Sequence, residues 1–313
     1  MATMTLVEFK KRTRDQLIAG IVEDIYTTNP IWAFLPWIGF AGSGISVNRE
    51  TTIGDAQFLA IGGTITAKAA SAVTNILFEP TTCIGDAEIN NLELVMSDSD
   101  INDVKAMEIS SKAKSVGRNM QQGIATGTGS SPNMNSLHTL VDSSQYTATT
   151  VAGGLVLTFD RLDELIDKVK AKDGIVDWIM MNSRDIIKLR ALYRALGGVP
   201  MAEVKMGNKT FKVLEYNGIP VFQNDFLSIT ETDNGAALTG GAQSSIYAGV
   251  WDDGTKKTGV AMIYPKATTA GITFEDVGPM ESRDERIYRV KAYMNFASFN
   301  RRGVARLIGV KAG

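Results

Sequence analysis

Near the N-terminus hydrophobic positions recur at helical spacing. Leu6, Phe9, Leu17, Ile21 and Ile25 share one face of period 3.6, while Lys10, Lys11, Arg12 and Arg14 fall mostly off it. Thr5 and Glu8 have the spacing of a capping box. Pro30 disfavours helical geometry at Asn29. The pattern predicts an amphipathic helix from about Thr5 to Asn29, followed by an aromatic cluster of Trp32, Phe34, Trp37 and Phe40. From Gly42 to Ser71 the texture changes to Gly, Thr and Ala. Val47, Arg49 and Thr51 alternate with Asn48, Glu50 and Thr52 at period 2, and Phe58 to Ile61 with Thr64 to Thr66 reads as a returning strand. This predicts a long hairpin with few large side chains. Such an arm cannot bury enough apolar surface to stand alone, so it must lie on something else.

Asn75 to Leu94 reads as strands. Acidic residues Asp98, Asp100 and Asp103 then suit a helix start. Ile109, Ala113, Val116, Met120 and Ile124 keep helical spacing, which predicts a long helix from about Asp100 to Gln122, closed by a Gly/Ser/Thr/Asn loop from Gly123 to Ser136. Further on, Leu155 to Leu157 reads as a short strand, Thr158 to Lys170 as a helix, Ile175 to Met181 as a buried strand and Ser183 to Leu196 as a helix ended by Gly197 and Gly198. Asn217-Gly218 joins Phe211–Tyr216 and Ile219–Gln223 into a hairpin. Ser245–Trp251 and Thr258–Tyr264, around Asp252-Asp253-Gly254, read as another. Ile272 to Val310 reads as extended β structure, with Arg301, Arg302 and Arg306 near its end. No repeat at solenoid or propeller spacing is present.

Composition narrows the function classes. The chain has 313 residues and 44% hydrophobic content, ample for a sizeable core. Lys and Arg number 32 against 34 Asp and Glu, a formal net charge of −2, which does not favour a dedicated DNA-gripping domain. A single cysteine, Cys83, excludes an internal disulfide framework and fits folding in a reducing compartment. No stretch approaches the roughly 18 apolar residues of a membrane span, and no targeting segment is visible. Catalytic signals are weak. The lone histidine, His138, sits in a polar loop without a nucleophile elbow nearby. Gly39 to Gly44 and Gly123 to Gly129 lack the Lys-Ser/Thr ending of a phosphate loop. Asp160, Asp163, Glu164 and Asp167 lie on the outer face of an amphipathic helix, and Asp252-Asp253-Gly254 is turn chemistry. No catalytic residue, cofactor or metal site is expected.

In their order and spacing these elements resemble the major capsid proteins of tailed bacteriophages, the α+β Hong Kong 97-like coat fold. The segments that carry the resemblance are SVNRETTIGDAQFLAIGG, the long helix with GIATGTGSSPNMNSL after it, VDWIMMNSRDIIKLRAL, YNGIPVFQND, and the closing ITFEDVGPMESRDERIYRVKAYMNFASFNRRGVARLIGV. The resemblance implies an N-terminal arm at residues 1–44 and an extended hairpin, the E-loop, at 45–74. It implies a peripheral domain at 75–154 and 271–313, with a spine helix at about 100–122, and an axial domain at 155–270. It further implies a non-enzymatic shell subunit that self-assembles through hexamers and pentamers around double-stranded DNA, in the host cytoplasm, and ends in the virion. Implied partners are copies of itself, a separate scaffolding protein, a portal and an optional decoration protein, with no membrane. Expected intersubunit contacts are Trp32, Phe34 and Trp37 of the arm, Arg49 and Glu50 of the hairpin, and Arg301 and Arg302. Coat elements begin almost at Met1, which leaves no room for a large cleaved N-terminal scaffold. Lys68, the only lysine of the hairpin, has no clear equivalence to the crosslinking lysine of some members, so no covalent crosslink is expected. Encapsulin-like nanocompartments share the fold and form the alternative, together with other phage head or tail proteins.

Overall fold

The structure is a computed structural model that describes residues 34–96, 104–147, 154–206, 209–231, 243–268 and 270–311. The expected N-terminal helix, Trp32, and Asp98, Asp100 and Asp103 lie outside these residues. The described chain runs β1 (Trp37–Phe40), β2 (Ile45–Thr52), β3 (Ala72–Phe78), β4 (Thr81–Asn90), α1 (Asn91–Met96), α2 (Val104–Thr126), α3 (Leu137–Leu140), β5 (Tyr146–Thr147) and β6 (Leu155–Val156). It continues through α4 (Phe159–Lys168), β7 (Trp178–Met181), α5 (Ser183–Ala195), β8 (Met201–Met206), β9 (Lys209–Tyr216), β10 (Ile219–Gln223), β11 (Gln243–Gly249), β12 (Val260–Pro265), β13 (Thr273–Pro279), β14 (Glu285–Ser298) and β15 (Val304–Lys311).

Two sheets organise the molecule. The first has five strands, β1-β12-β14-β13, with β4 also paired along β14 from Glu285 to Met294. The second has eight, β5-β15-β11-β7-β10-β9-β8, with β6 also on β15. The long helix α2, about 35 Å at 1.5 Å per residue, turns Val116, Met120 and Ile124 into a core shared by both sheets. Met262, Val290 and Phe296 enter it from the first sheet, and Trp178, Phe222 and Tyr247 from the second. The other face of the second sheet is covered by α4 and α5 through Leu162, Leu165, Ile186 and Leu189. Strand alternation produces this layering: Met262 faces α2, while its neighbours Ala261 and Ile263 face the opposite way and meet Ile38, Phe40, Ile45 and Phe78.

Several expectations meet their elements closely. The Asn-Gly hairpin forms, with positive φ at Asn217 (48°) and Gly218 (81°), as a tight two-residue turn requires. Asn182 caps α5 by accepting from the Arg184 N–H at 3.1 Å, and Gly197 (φ 94°) closes it.

Others are corrected. The long helix does not stop at Gln122 but runs through Gly123 to Thr126. Gly123 is there because of packing: a Cβ would sit 2.2 Å from Met134 Sδ, so the bare backbone makes room for that side chain. The returning strand of the first hairpin is β3, and residues 53–71 between the strands have no regular ladder. The second expected hairpin does not form, because β11 belongs to the second sheet and β12 to the first. The buried Asp252 carboxylate holds the crossing between them, accepting from the N–H groups of Gly254, Lys256, Lys257 and Thr258. Sheet membership also cuts across the expected domain boundaries. β1 and β12 join the first sheet, although they fall within the segments assigned to the arm and the axial domain. β5 and β15 join the second, although they fall within the peripheral segments.

Candidate assembly surfaces

The β2–β3 hairpin is anchored at its root and bare beyond it. At the root, Ile45 and Phe78 are buried against Ala297 and Phe299. Gly44 permits the close approach, since a Cβ there would meet the Phe78 carbonyl at 2.5 Å. Arg49 completes the anchor. Its Nη2 donates to the Ser298 carbonyl and its Nε to the Phe299 carbonyl at 3.3 Å, and the guanidinium lies 5.9 Å from the Phe78 ring centre. Burial and the neighbouring Arg301 draw the Arg49 pKa down, and Asp142 opposes them.

From Glu50 to Asn75 every residue is exposed except half-buried Ala67. Beyond the β2–β3 ladder, side chains supply much of the order in this span, beside the backbone bonds from the Asp55 N–H to the Ala69 carbonyl and from the Gly63 N–H to the Ala60 carbonyl. Gln57 Oε1 accepts from the N–H groups of Thr66 (3.0 Å) and Ala67 (2.8 Å), its Nε2 donates to the Thr64 carbonyl at 3.1 Å, and Asp55 accepts from the Ala69 N–H at 2.5 Å. On this scaffold Ile53 (85% exposed), Phe58 (108%), Ile61 (108%) and Ile65 (59%) stand in solvent. Exposed apolar side chains concentrated on one projecting segment mark an interaction surface. Leu92, Val95 and Met96 on α1 and Phe274 and Val277 on β13 are also exposed.

The residues expected to touch neighbours fall in different settings. Phe34 is at the surface with its ring 5.3 Å from that of Phe222. Trp37 is half-buried, 6.3 Å edge-on from Tyr264. Arg49 is engaged within its own chain, whereas Glu50 is exposed on the hairpin. Arg301 is bound to Asp142 at 2.6 Å. For Asp142, burial alone would raise the carboxyl, but hydrogen bonds from Arg301 and Ser144 outweigh it and hold the pKa at about 2. Arg302 is exposed, and its carbonyl accepts from the N–H groups of Lys170 and Ala171. Arg306, grouped with these in the sequence, is fully buried instead. The apolar hairpin residues were missed as a site because a strand assignment implied a covered face for them.

Chemistry of other kinds finds little footing. Among the described residues no group of three or more His, Cys, Asp or Glu is placed to hold a metal ion, and no helix is long and apolar enough to cross a membrane. Cys83 is half-buried, and burial raises its thiol pKa against a hydrogen bond with Asn119.

The architecture has close counterparts. A subunit of the holo-SrpI encapsulin complex from Synechococcus elongatus superposes with TM-score 0.69 at 14% identity, covering 99% of this chain and 97% of that one. The capsid of cyanophage A-1(L) gives 0.69 at 11%, covering 98% and 99%, and the capsid of a native GTA particle gives 0.65 at 12%, covering 95% and 96%. The chain has the Hong Kong 97-like coat fold. The match runs essentially end to end in both directions. No protein-family model and no curated protein matches the sequence; at these identities the likeness rests on sheets, helices and hairpin rather than on residues.

Proposed function

We propose that this chain is the major capsid protein of a tailed phage, the repeated subunit that assembles through hexamers and pentamers into an icosahedral head around double-stranded DNA. End-to-end likeness to phage capsid subunits is the observation that carries this reading. The hairpin supports it physically. Burying Ile53, Phe58, Ile61 and Ile65 on neighbours would contribute roughly 1.5–3 kcal/mol each before ordering costs. A contact repeated around a closed shell can be individually weak, because closure sums many of them. Near-neutral total charge limits repulsion among crowded copies. In this reading Glu50, Phe34, Trp37 and the side chain of Arg302 remain free to contact neighbours, whereas Arg49 and Arg301 first order their own subunit. A scaffolding protein, a portal and a decoration protein are the accompanying partners, DNA is enclosed without sequence readout, and assembly takes place in the host cytoplasm. The chain performs no catalysis.

The encapsulin likeness favours a second reading, a protein shell around enzyme cargo. Electron microscopy of the purified protein, with sedimentation beside it, tests the shared core of both. Closed icosahedral shells, or rings of five and six, are expected; a monodisperse monomer or dimer under every assembly condition refutes it. Nuclease-protected DNA in particles from the native source selects the phage head, and co-purifying enzyme with no nucleic acid selects the nanocompartment.

A further inference from the structure

The face of the second sheet that carries α4 and α5 presents two surface depressions that share no residue. At the end of α4 a cleft of about 560 Å³ has apolar walls, including Ile166, Ile175 and Ile219. Three carboxylates, Asp163, Asp167 and Asp173, stand around it against one ammonium, Lys170, which pairs with Asp167 at 2.6 Å. Asp163 is held in place by the Tyr216 hydroxyl at 2.7 Å and by Asn217 Nδ2 at 3.4 Å. The second depression, about 340 Å³, lies between α5 and β8 and is lined by Ile187, Arg190, Arg194, Val199 and Met201, with no acidic residue. Ile187 and Met201 are exposed apolar side chains there. Neither Arg190 nor Arg194 forms a side-chain hydrogen bond or ion pair with any described residue.

The two depressions match in spacing as well as in sign. Asp163 and Asp167 are one helical turn apart on α4, and Arg190 and Arg194 are one turn apart on α5, so each helix offers two like-charged side chains on one side, with Cβ atoms about 6 Å apart. Each charged pair borders an apolar floor, the arrangement of a protein contact with a buried centre and a polar rim.

Resting on the shell-subunit reading above, we propose that these are the two halves of one contact between neighbouring copies: the Arg190/Arg194 side of α5 in one copy docks on the Asp163/Asp167 cleft of the next. Like charges prevent either patch from pairing with itself, so the contact is heterologous, the kind that closes into rings. Guanidinium–carboxylate pairing fixes the register, and Ile175 and Ile187 supply apolar burial.

The test is a charge swap in the full chain. Arg190→Glu with Arg194→Glu makes one variant, Asp167→Lys with Asp173→Asn a second, and all four changes in one chain a third. Circular dichroism and thermal melting confirm that each folds, since every altered side chain is at the surface. Each of the first two variants should need about tenfold more protein than wild type to form rings or shells, because like charges then face each other. The combined swap should recover most of that loss. Assembly of both partial variants at the wild-type concentration overturns the pairing and leaves the shell reading intact. A folded four-fold variant as defective as the partial ones overturns it equally. A folded wild type that never associates removes the shell reading and this contact together.

Discussion

Replacing Arg306 by Ala should destabilise the subunit by roughly 3–5 kcal/mol, the range for breaking one half of a buried ion pair. The guanidinium is fully buried within β15. Its Nη2 donates to Glu231 at 3.0 Å, and its Nε donates to the Ser245 hydroxyl at 3.0 Å, which in turn donates to the same Glu231 oxygen. Its carbon centre lies 5.4 Å from the Tyr146 ring and 5.8 Å from the Tyr247 ring, and each such contact adds about 0.5–2 kcal/mol. Removal therefore strands a carboxylate, empties the space between two rings and unpins β5, β11 and β15 together. Domains of ordinary stability have about 5–15 kcal/mol in total, so the loss is a large fraction. Urea unfolding of unassembled subunits by tryptophan fluorescence measures it, because Trp178 and Trp251 stack at 5.0 Å in the same core. Arg306→Met combined with Glu231→Leu should lie within about 1.5 kcal/mol of wild type, since no charge is then left alone. If Arg306→Ala costs less than about 1 kcal/mol, or the two single losses simply add in the double variant, the network is not the constraint described.

Arg49→Ala should release the hairpin root while leaving the two sheets intact, seen as faster proteolysis within residues 45–78 at an unchanged melting temperature for the remainder. Gly123→Ala should cost about 1–3 kcal/mol by overpacking against Met134, and Met134→Ala in the same chain should restore part of that loss; equal costs in both backgrounds would show that the clash is not the cause. The Asp142 carboxyl, held at about 2, stabilises the fold above its ordinary pKa of about 3.9. Asp142→Asn should therefore melt lower than wild type at pH 6, with the gap closing as pH falls from about 4 through about 2. Particles boiled in denaturant should run as single chains on a gel, since Lys68 forms no crosslink in this reading; a ladder of multimers would contradict it.

Local signals were legible where one segment settles its own shape. The Asn217-Gly218 turn, the Asn182 cap and the stripe from Ile109 to Ile124 each follow from neighbouring residues and reappear in the fold. What was not legible depended on distant partners. Nothing near Gly123 in the sequence reveals that Met134 will lie on it, so a glycine that reads as a helix stop is a packing site. Nothing in Ser245 to Tyr264 separates a hairpin from a crossing between sheets, because both require a strand, a polar turn and a strand. Arg306 looked like part of an arginine-rich tail, yet Val304, Ala305, Leu307 and Ile308 around it are apolar on both sides of the strand. That run is the signature of a strand with two covered faces, and an arginine inside it must be buried and paired.

The same reasoning locates the hairpin from β14 alone. Over much of Glu285 to Tyr293 this strand alternates, with Tyr288, Val290 and Ala292 buried under α2 and Arg289, Lys291 and Tyr293 half-exposed on the far face. That far face carries ion pairs, Arg289 to Asp86 at 2.8 Å and Lys291 to Glu275, as a solvated sheet surface does. From Met294 onward the alternation stops: Met294, Asn295, Phe296, Ala297 and Ser298 are all buried. A strand changes from period 2 to continuous burial only where a second layer covers its other face. Here that layer is the hairpin root, with Ile45 and Phe78 in contact with the Ala297 side. The polar residues in this run bond to the covering segment: Asn295 Nδ2 donates to the Glu79 carbonyl at 2.6 Å, and the Ser298 carbonyl accepts from the Arg49 side chain. The change of pattern at Met294 thus fixes where the hairpin root packs on the body of the subunit, and beyond Arg49 the hairpin is exposed as far as Asn75 apart from half-buried Ala67.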